Sequence, residues 1–175
     1  MRPSLFTIGA LAFVCAAGAV EAQSPKLGYI NSQEILVNAP GAEAAQAAFD
    51  AAMRYAQQRE TFGRPIYDHQ AIQFKLAEMA TKLQAARLMT YDAAKRADLG
   101  ERVDLEAGMA KLFASEAAFE IATDALRIHG GNGYTTEFPV ERYFRDTPLM
   151  IIGEGTSEIQ KMVIARKLRD RYPVE

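Results

Sequence analysis

Cysteine is almost absent from this sequence: Cys15 is the only one, and it lies in an apolar N-terminal segment. A disulfide framework and a cysteine metal site are both excluded. Histidine is nearly as scarce, with only His69 and His129, so no histidine-rich metal centre is expected and no metal ligand is assigned. Net charge is small as well, at −2, with Lys and Arg scattered, which points away from a nucleic-acid surface. No confident membrane span exists either. The apolar run LFTIGALAFVCAAGAV, residues 5–20, is too short and too rich in Ala and Gly. What remains is 175 residues, 49% hydrophobic and 24% charged, enough for one ordinary globular domain with a core.

The first 22 residues follow a separate logic. Arg2 supplies a positive start, the apolar run follows, and Val20 and Ala22 are small residues just before Gln23. This is a secretory signal pattern, so residues 1–22 are expected to be a signal peptide that directs the chain to the periplasm or outside. Bulky Phe13 and Val14 argue against Cys15 as a lipid-attachment site. Next, KLGYINSQEILV reads as a short strand at 27–30 followed by a polar helical start, and NAPGAE reads as a Pro-Gly break. A strand with no partner in the chain is not stable alone.

From Ala44 onward the pattern is helical. Alanine dominates Ala44–Arg59 without a breaker, and RETFGRPIYD is a loop in which Gly63 and Pro65 stop the helix. Residues 69–98 place Ile72, Leu76, Met79, Leu83 and Ala86 on one stripe, with Lys75 and Lys82 facing elsewhere. A third helix, about Val103–His129, has Ala107, Ala110, Ala114, Ala117 and Ile121 on one face. A neighbouring face carries Leu105, Met109, Leu112 and Phe119, so this helix should be packed on two sides. GGNGYTTEFPVE is a glycine-rich turn, a short helix is expected near Val140–Phe144, and a last helix runs from after Gly155 to about Arg171. The predicted architecture is all-α, an antiparallel four-helix bundle over residues 44–175. A signal peptide and a short extended segment, residues 23–43, precede it.

One acid stands out. Glu154 lies between Gly153 and Gly155, after Leu149, Met150, Ile151 and Ile152, and before Thr156 and Ser157. In a dry pocket such a carboxylate becomes a stronger base, able to remove a weakly acidic C–H proton. On spacing alone, a solvated turn residue is the plainer account. Ser157 with Gln160 three residues on has the form of a capping box, and the free N–H groups there could seat phosphate oxygens. Most caps bind nothing. The run GGNG could admit a diphosphate or could simply end a helix. Arg59 could serve a diphosphate or lie idle at the surface. His69 and Gln70 open a helix, and a capping role is the default for both.

In combination and in this order, RETFGRPIYDHQAIQFKLAEMA, ALRIHGGNGYTTEFPVERYFRD and MIIGEGTSEIQKMVIARKL resemble the C-terminal helical domain of acyl-CoA dehydrogenases, from about Ala44 to Tyr172. The resemblance implies a flavoenzyme that uses FAD to oxidise an acyl-CoA thioester between its α and β carbons. It makes Glu154 the base that takes the α proton, with Gly155 against the substrate. It puts Arg59, Thr61 and Phe62 on the diphosphate of a neighbouring subunit's cofactor, with His69 and Gln70 as the next contact. Arg127, Ile128, His129, Gly130 and Gly131 fall beside the adenosine half, and Thr156, Ser157 and Glu158 form the cap touching the cofactor. It further implies electron-transfer flavoprotein as acceptor and a homo-oligomer, dimer or tetramer. Three positions depart from the pattern: Gly153 stands where Tyr is frequent, and Arg127 and Glu158 stand where Gln is frequent.

The N-terminal region resembles something else. A signal peptide followed by KLGYINSQEILVNAPGAEAAQAAFD is similar to the precursor of a Skp-type periplasmic chaperone. The two resemblances share AQAAFD, residues 45–50, which suggests a chimera joined there. The compartments conflict, because the resembled enzymes are intracellular. Enzymes of this family also use an N-terminal helical domain and a middle β domain to complete their sites. Dehydrogenase activity of this chain alone is therefore expected to be weak or absent. The alternative is a secreted helical binding protein of holdase type, without enzymatic activity.

Overall fold

A computed structural model describes residues 40–174. The signal segment, the candidate strand at 27–30 and residues 23–39 of the linker lie outside the described residues. The rest is all helical apart from one small hairpin, as the residue pattern predicts.

Helix α1 spans Pro40–Gln58. It opens on the proline of the expected Pro-Gly break instead of starting at Ala44, since a first-turn proline sacrifices no helical hydrogen bond. Glu60–Thr61 and Arg64–Pro65 then pair as a two-stranded antiparallel hairpin, β1 and β2. A 3-10 turn, Ile66–Asp68, leads into α2 (Gln70–Asp98), and α3 covers Asp104–His129. Gly130–Tyr134 forms a second 3-10 turn, followed by α4 (Val140–Ile152) and α5 (Ser157–Arg171).

Helix α4 is far longer than the short piece expected at 140–144, so the described residues hold five helices. The apolar run Leu149–Ile152 is its last turn. A proline inside a helix strips one carbonyl of its donor, and at Pro148 the orphan is the carbonyl of Phe144. The Thr147 hydroxyl donates to that carbonyl at 3.3 Å and is itself fully buried. A local side-chain donor thus replaces the missing backbone donor, and the helix continues.

Helix α3 is the centre of the bundle and touches all four other helices. Its fully buried alanines are Ala118, Ala122 and Ala125, beside Ile121. They face the equally buried Ala45, Ala48, Ala52 and Ala56 of α1 in one core. Small residues on both sides let two backbones approach closely, and the larger Met79, Leu83 and Leu76 of α2 fill the other side. The expected α2 stripe is therefore present. Lys75 and Lys82, which face away from the stripe, bridge to Asp124 and Glu120 of α3. The buried Glu106 of α3 accepts from Arg171 at 2.7 Å, which ties the end of α5 to the start of α3.

Candidate functional site

The turn between α4 and α5 is built from three unusual features. Glu154 has φ of 54° and Gly155 a φ of 97°, so a carboxylate-bearing residue and a glycine share the left-handed region. A non-glycine residue there is strained by of order 1–3 kcal/mol and persists only where its surroundings enforce it. Those surroundings are visible. Lys111, reaching from α3, donates to the Gly155 carbonyl at 2.7 Å and lies 3.5 Å from the carbonyl of Ile151. Gln160 of α5 reaches back to the Glu154 carbonyl at 3.4 Å, and a Cβ on Gly155 would sit 2.9 Å from the Gln160 amide nitrogen. Glu154 itself is exposed, next to Leu149 and Ile152, which are 62% and 63% exposed.

The helix cap differs from the expected one. Thr156, not Ser157, is the N-cap of α5, and its hydroxyl accepts from the Ile159 N–H at 3.4 Å. Gln160 is committed to Glu154, so the capping box is not formed. Ser157 is the first helical residue; its Oγ is enclosed and has no hydrogen-bond partner. Glu158 is exposed, and its own backbone N–H together with the Thr156 hydroxyl holds its carboxyl below the usual range.

A second cluster forms around the hairpin. Phe62 and Gly63 make its turn with φ of 53° and 77°, and Phe62 is 97% exposed. His69 clamps the two strands: Thr61 Oγ1 lies 3.1 Å from its Nε2, and Arg64 Nη2 lies 3.2 Å from its Nδ1. A guanidinium can only donate, so Nδ1 accepts and the ring hydrogen sits on Nε2, facing Thr61. The edge of the Phe62 ring meets the His69 ring at 6.1 Å. His69 is the N-cap residue of α2 but gives no side-chain cap bond, because its ring is spent on the hairpin. Arg59 and Gln70 are exposed beside it.

The GGNG turn belongs to the same end of the bundle. Tyr55 of α1 accepts the Arg59 N–H at its carbonyl, and its hydroxyl accepts from Asn132 at 2.9 Å. Its ring stacks on His129 at 4.1 Å. His129 and Ile128 are core residues, 4% exposed, and His129 Nδ1 bonds the Ala125 carbonyl at 2.8 Å. Burial depresses the basicity of that imidazole, the Ala125 carbonyl only partly opposing it. Gly130, with φ of 61°, and Gly131 are exposed, and Arg127 lies at the surface beside Asp124.

The expected site residues therefore fall into two groups. Arg59, Thr61, Phe62, His69, Gln70 and residues 127–131 share one end; Glu154, Gly155, Thr156, Ser157 and Glu158 share the other. Along α3, Lys111 and His129 are separated by about 27 Å at 1.5 Å per residue. Lys111 and Tyr55 were not singled out by the sequence. Neither could be, since nothing local marks a lysine or tyrosine that works across forty or more residues. Among the described residues no cluster of His, Cys, Asp and Glu could hold a metal ion, and no helix is long and apolar enough to cross a membrane.

An all-helical bundle with an exposed acid on a strained interhelical turn narrows the class, and comparison with known proteins then fixes it. Residues 29–169 match the family described as acyl-CoA dehydrogenase, C-terminal domain. The 3-(aryl)acrylate reductase of Clostridium sporogenes is 57% identical over 71% of this chain and 33% of its own length. A caffeyl-CoA reductase-Etf complex subunit of Acetobacterium woodii is 50% identical over 71% of this chain and 33% of its own length. The butyryl-CoA dehydrogenase structure from Megasphaera elsdenii superimposes with a TM-score of 0.74 at 41% identity, covering 77% of this chain and 36% of that one. This chain belongs to the acyl-CoA dehydrogenase family and carries its C-terminal helical domain. It spans about a third of the length of the curated relatives it matches.

Proposed function

We propose that this chain forms the C-terminal bundle of a flavin-dependent acyl-CoA dehydrogenase and that Glu154 is its base. The observation that carries the reading is the α4–α5 turn: an exposed carboxylate in a left-handed conformation, flanked by the exposed side chains of Leu149 and Ile152. An acyl chain lying on those two side chains would exclude water around Glu154, and a desolvated carboxylate is a stronger base. Glu154 then takes the α proton of the thioester, and the electrons of that C–H bond become the new α,β double bond. Gly155, without a side chain, leaves room for the thioester beside the acid.

FAD is the cofactor that the family implies, and when bound it supplies the hydride acceptor for the β carbon. The donor set fits such a group. At the α5 end, the helix start with Thr156 at its cap and the exposed Glu158 offers polar contacts to the group, while the Ser157 hydroxyl is enclosed beneath them. At the other end, Arg59, Thr61, Phe62, His69 and Gln70 form an exposed hairpin face, with Arg127 and the backbone of Ile128, His129, Gly130 and Gly131 nearby. In this reading the hairpin end reaches a neighbouring copy's FAD in a homo-oligomer, and the separation of about 27 Å between the two ends along α3 is in keeping with that division. Electron-transfer flavoprotein is the proposed acceptor, in keeping with the Etf-complex relative.

The Skp-like N-terminal region, the signal peptide and the join at 45–50 belong to the same proposal, with the secreted route following from the signal. Residues 1–22, 23–43 and 44–175 are its three parts. The family match begins at residue 29, upstream of that join, and reading source DNA across codons 20–55 decides whether the two halves are contiguous. The functional test is a hybrid in which residues 44–172 replace the corresponding third of the Megasphaera butyryl-CoA dehydrogenase. Acyl-CoA oxidation with a dye acceptor should appear and fall by roughly 10²–10⁴-fold in Glu154→Gln. Equal activity with and without the carboxylate would remove Glu154 from the reaction.

A further inference from the structure

We propose that Lys111 is a positioning residue for the Glu154 turn, acting through the Gly155 and Ile151 carbonyls; this rests on the reading of Glu154 as the working acid. The geometry is specific. Lys111 stands near the start of α3, the one helix that touches all the others. Its ammonium spans to the Gly155 carbonyl at 2.7 Å and the Ile151 carbonyl at 3.5 Å, within the last turn of α4. The carbonyls at a helix C-terminus carry partial negative charge, so a cation is favoured there. A hydrogen bond from a charged donor is also about twice as strong as a neutral one. Lys111 is thus a clamp from the centre of the bundle onto the two peptides that bracket residues 152–155.

The charged surroundings are few. Glu154 faces the ammonium from the turn, and Glu116 faces it from α3 itself; Glu116 in turn pairs with Lys161 of α5 at 3.8 Å. Burial lowers the basicity of Lys111, and the two carboxylates only partly offset this. A lysine in this setting is held by what it binds. Gln160, on α5, pins the other side of the turn through the Glu154 carbonyl. The left-handed backbone at Glu154 is therefore enforced from two helices, with the stronger contact coming from Lys111.

The test uses the 175-residue chain itself and needs no flavin. Amide hydrogen exchange at Gly153 and Gln160, whose N–H groups bond the Leu149 and Thr156 carbonyls on either side of the turn, is compared in wild type, Lys111→Met and Lys111→Arg. In Lys111→Met, protection of these amides should fall roughly tenfold while the α1–α3 core amides keep theirs. Lys111→Arg, which keeps a charged donor, should recover most of that protection. Protection in Lys111→Arg as low as in Lys111→Met, or unchanged protection in Lys111→Met, would overturn the proposal. Should Lys111→Met fail to fold, wild type still decides: the Lys111 ammonium protons should exchange with water more slowly than those of exposed Lys161, and equal rates would contradict the clamp. A Glu154 that proves inert in the hybrid enzyme would refute the functional reading while leaving these exchange results intact, so the two failures are separable.

Discussion

Two turns in this protein use the same backbone device and hold it in opposite ways. At 62–63 and at 154–155, a non-glycine residue and then a glycine both take positive φ. The hairpin turn is enforced locally, by a histidine seven residues past Phe62 that bonds both strands. The α4–α5 turn is enforced from a distance, by Lys111 on another helix. The first is a self-contained module that presents Phe62 to solvent. The second is held by Gln160 six residues on and also by Lys111 from a helix more than forty residues earlier, so its geometry reports in part on how α3 packs against the turn. Strain at a local turn can serve a contact surface, whereas strain held from the core can fix the position of a reacting group.

The largest test of that contrast is Gly155→Ala. Its Cβ would enter a positive-φ position and push aside the movable Gln160 amide, 2.9 Å away, so backbone strain is joined by loss of the Gln160 contact to the Glu154 carbonyl, and a loss of about 1.5 kcal/mol in chemical denaturation is expected. Gly63→Ala meets nothing within 4 Å, so only backbone strain remains, at about 1 kcal/mol. If the two losses were equal, the crowding assigned to the second turn would be wrong. His69→Ala should weaken the hairpin by about 1 kcal/mol. Exchange at Gly153 and Gln160 should stay unchanged, since the clamp is local. Phe62→Asn should stabilise the hairpin by about 0.5 kcal/mol, because asparagine tolerates left-handed backbone better than phenylalanine.

The smallest effect is one of pH. Burial lowers the basicity of His129 below its ordinary value of 6.5, so the unfolded chain binds its proton more readily than the folded one. Its contribution is complete above about pH 6.5 and is lost as pH falls from there toward the folded-state value. Stability measured from pH 8 to pH 5 should therefore decline below 6.5, and His129→Gln should flatten that part of the curve. The change should be felt at the Tyr55 end, which His129 supports by stacking, and not at residues 153–157.

The same division governs what could be read from residues alone. The helices of the bundle were legible because alanine-rich stretches and three-four spacing act locally, and the α2 stripe of Leu76, Met79 and Leu83 is buried as the pattern requires. The RETFGRP loop and the isolated acid in GEGTSEIQ were legible because glycines and flanking polar residues mark them. Helix α4 runs past its expected end and through Pro148, a breaker by rule, and only the Thr147 hydroxyl on the Phe144 carbonyl shows why it does not break here. The capping pattern misled for a related reason: Gln160 could serve its own helix start but bonds Glu154 instead. His129 carries no mark of burial, since its stacking partner Tyr55 lies on another helix. Lys111 was invisible for the same cause, and it is the contact on which the acid's geometry depends.

Deuterium uptake at the α carbon of butyryl-CoA in D₂O, catalysed by the hybrid carrying residues 44–172, isolates proton removal from hydride transfer. The account predicts that uptake occurs and drops by roughly 10²–10⁴-fold in Glu154→Gln. Uptake that proceeds at the same rate in both proteins would contradict it.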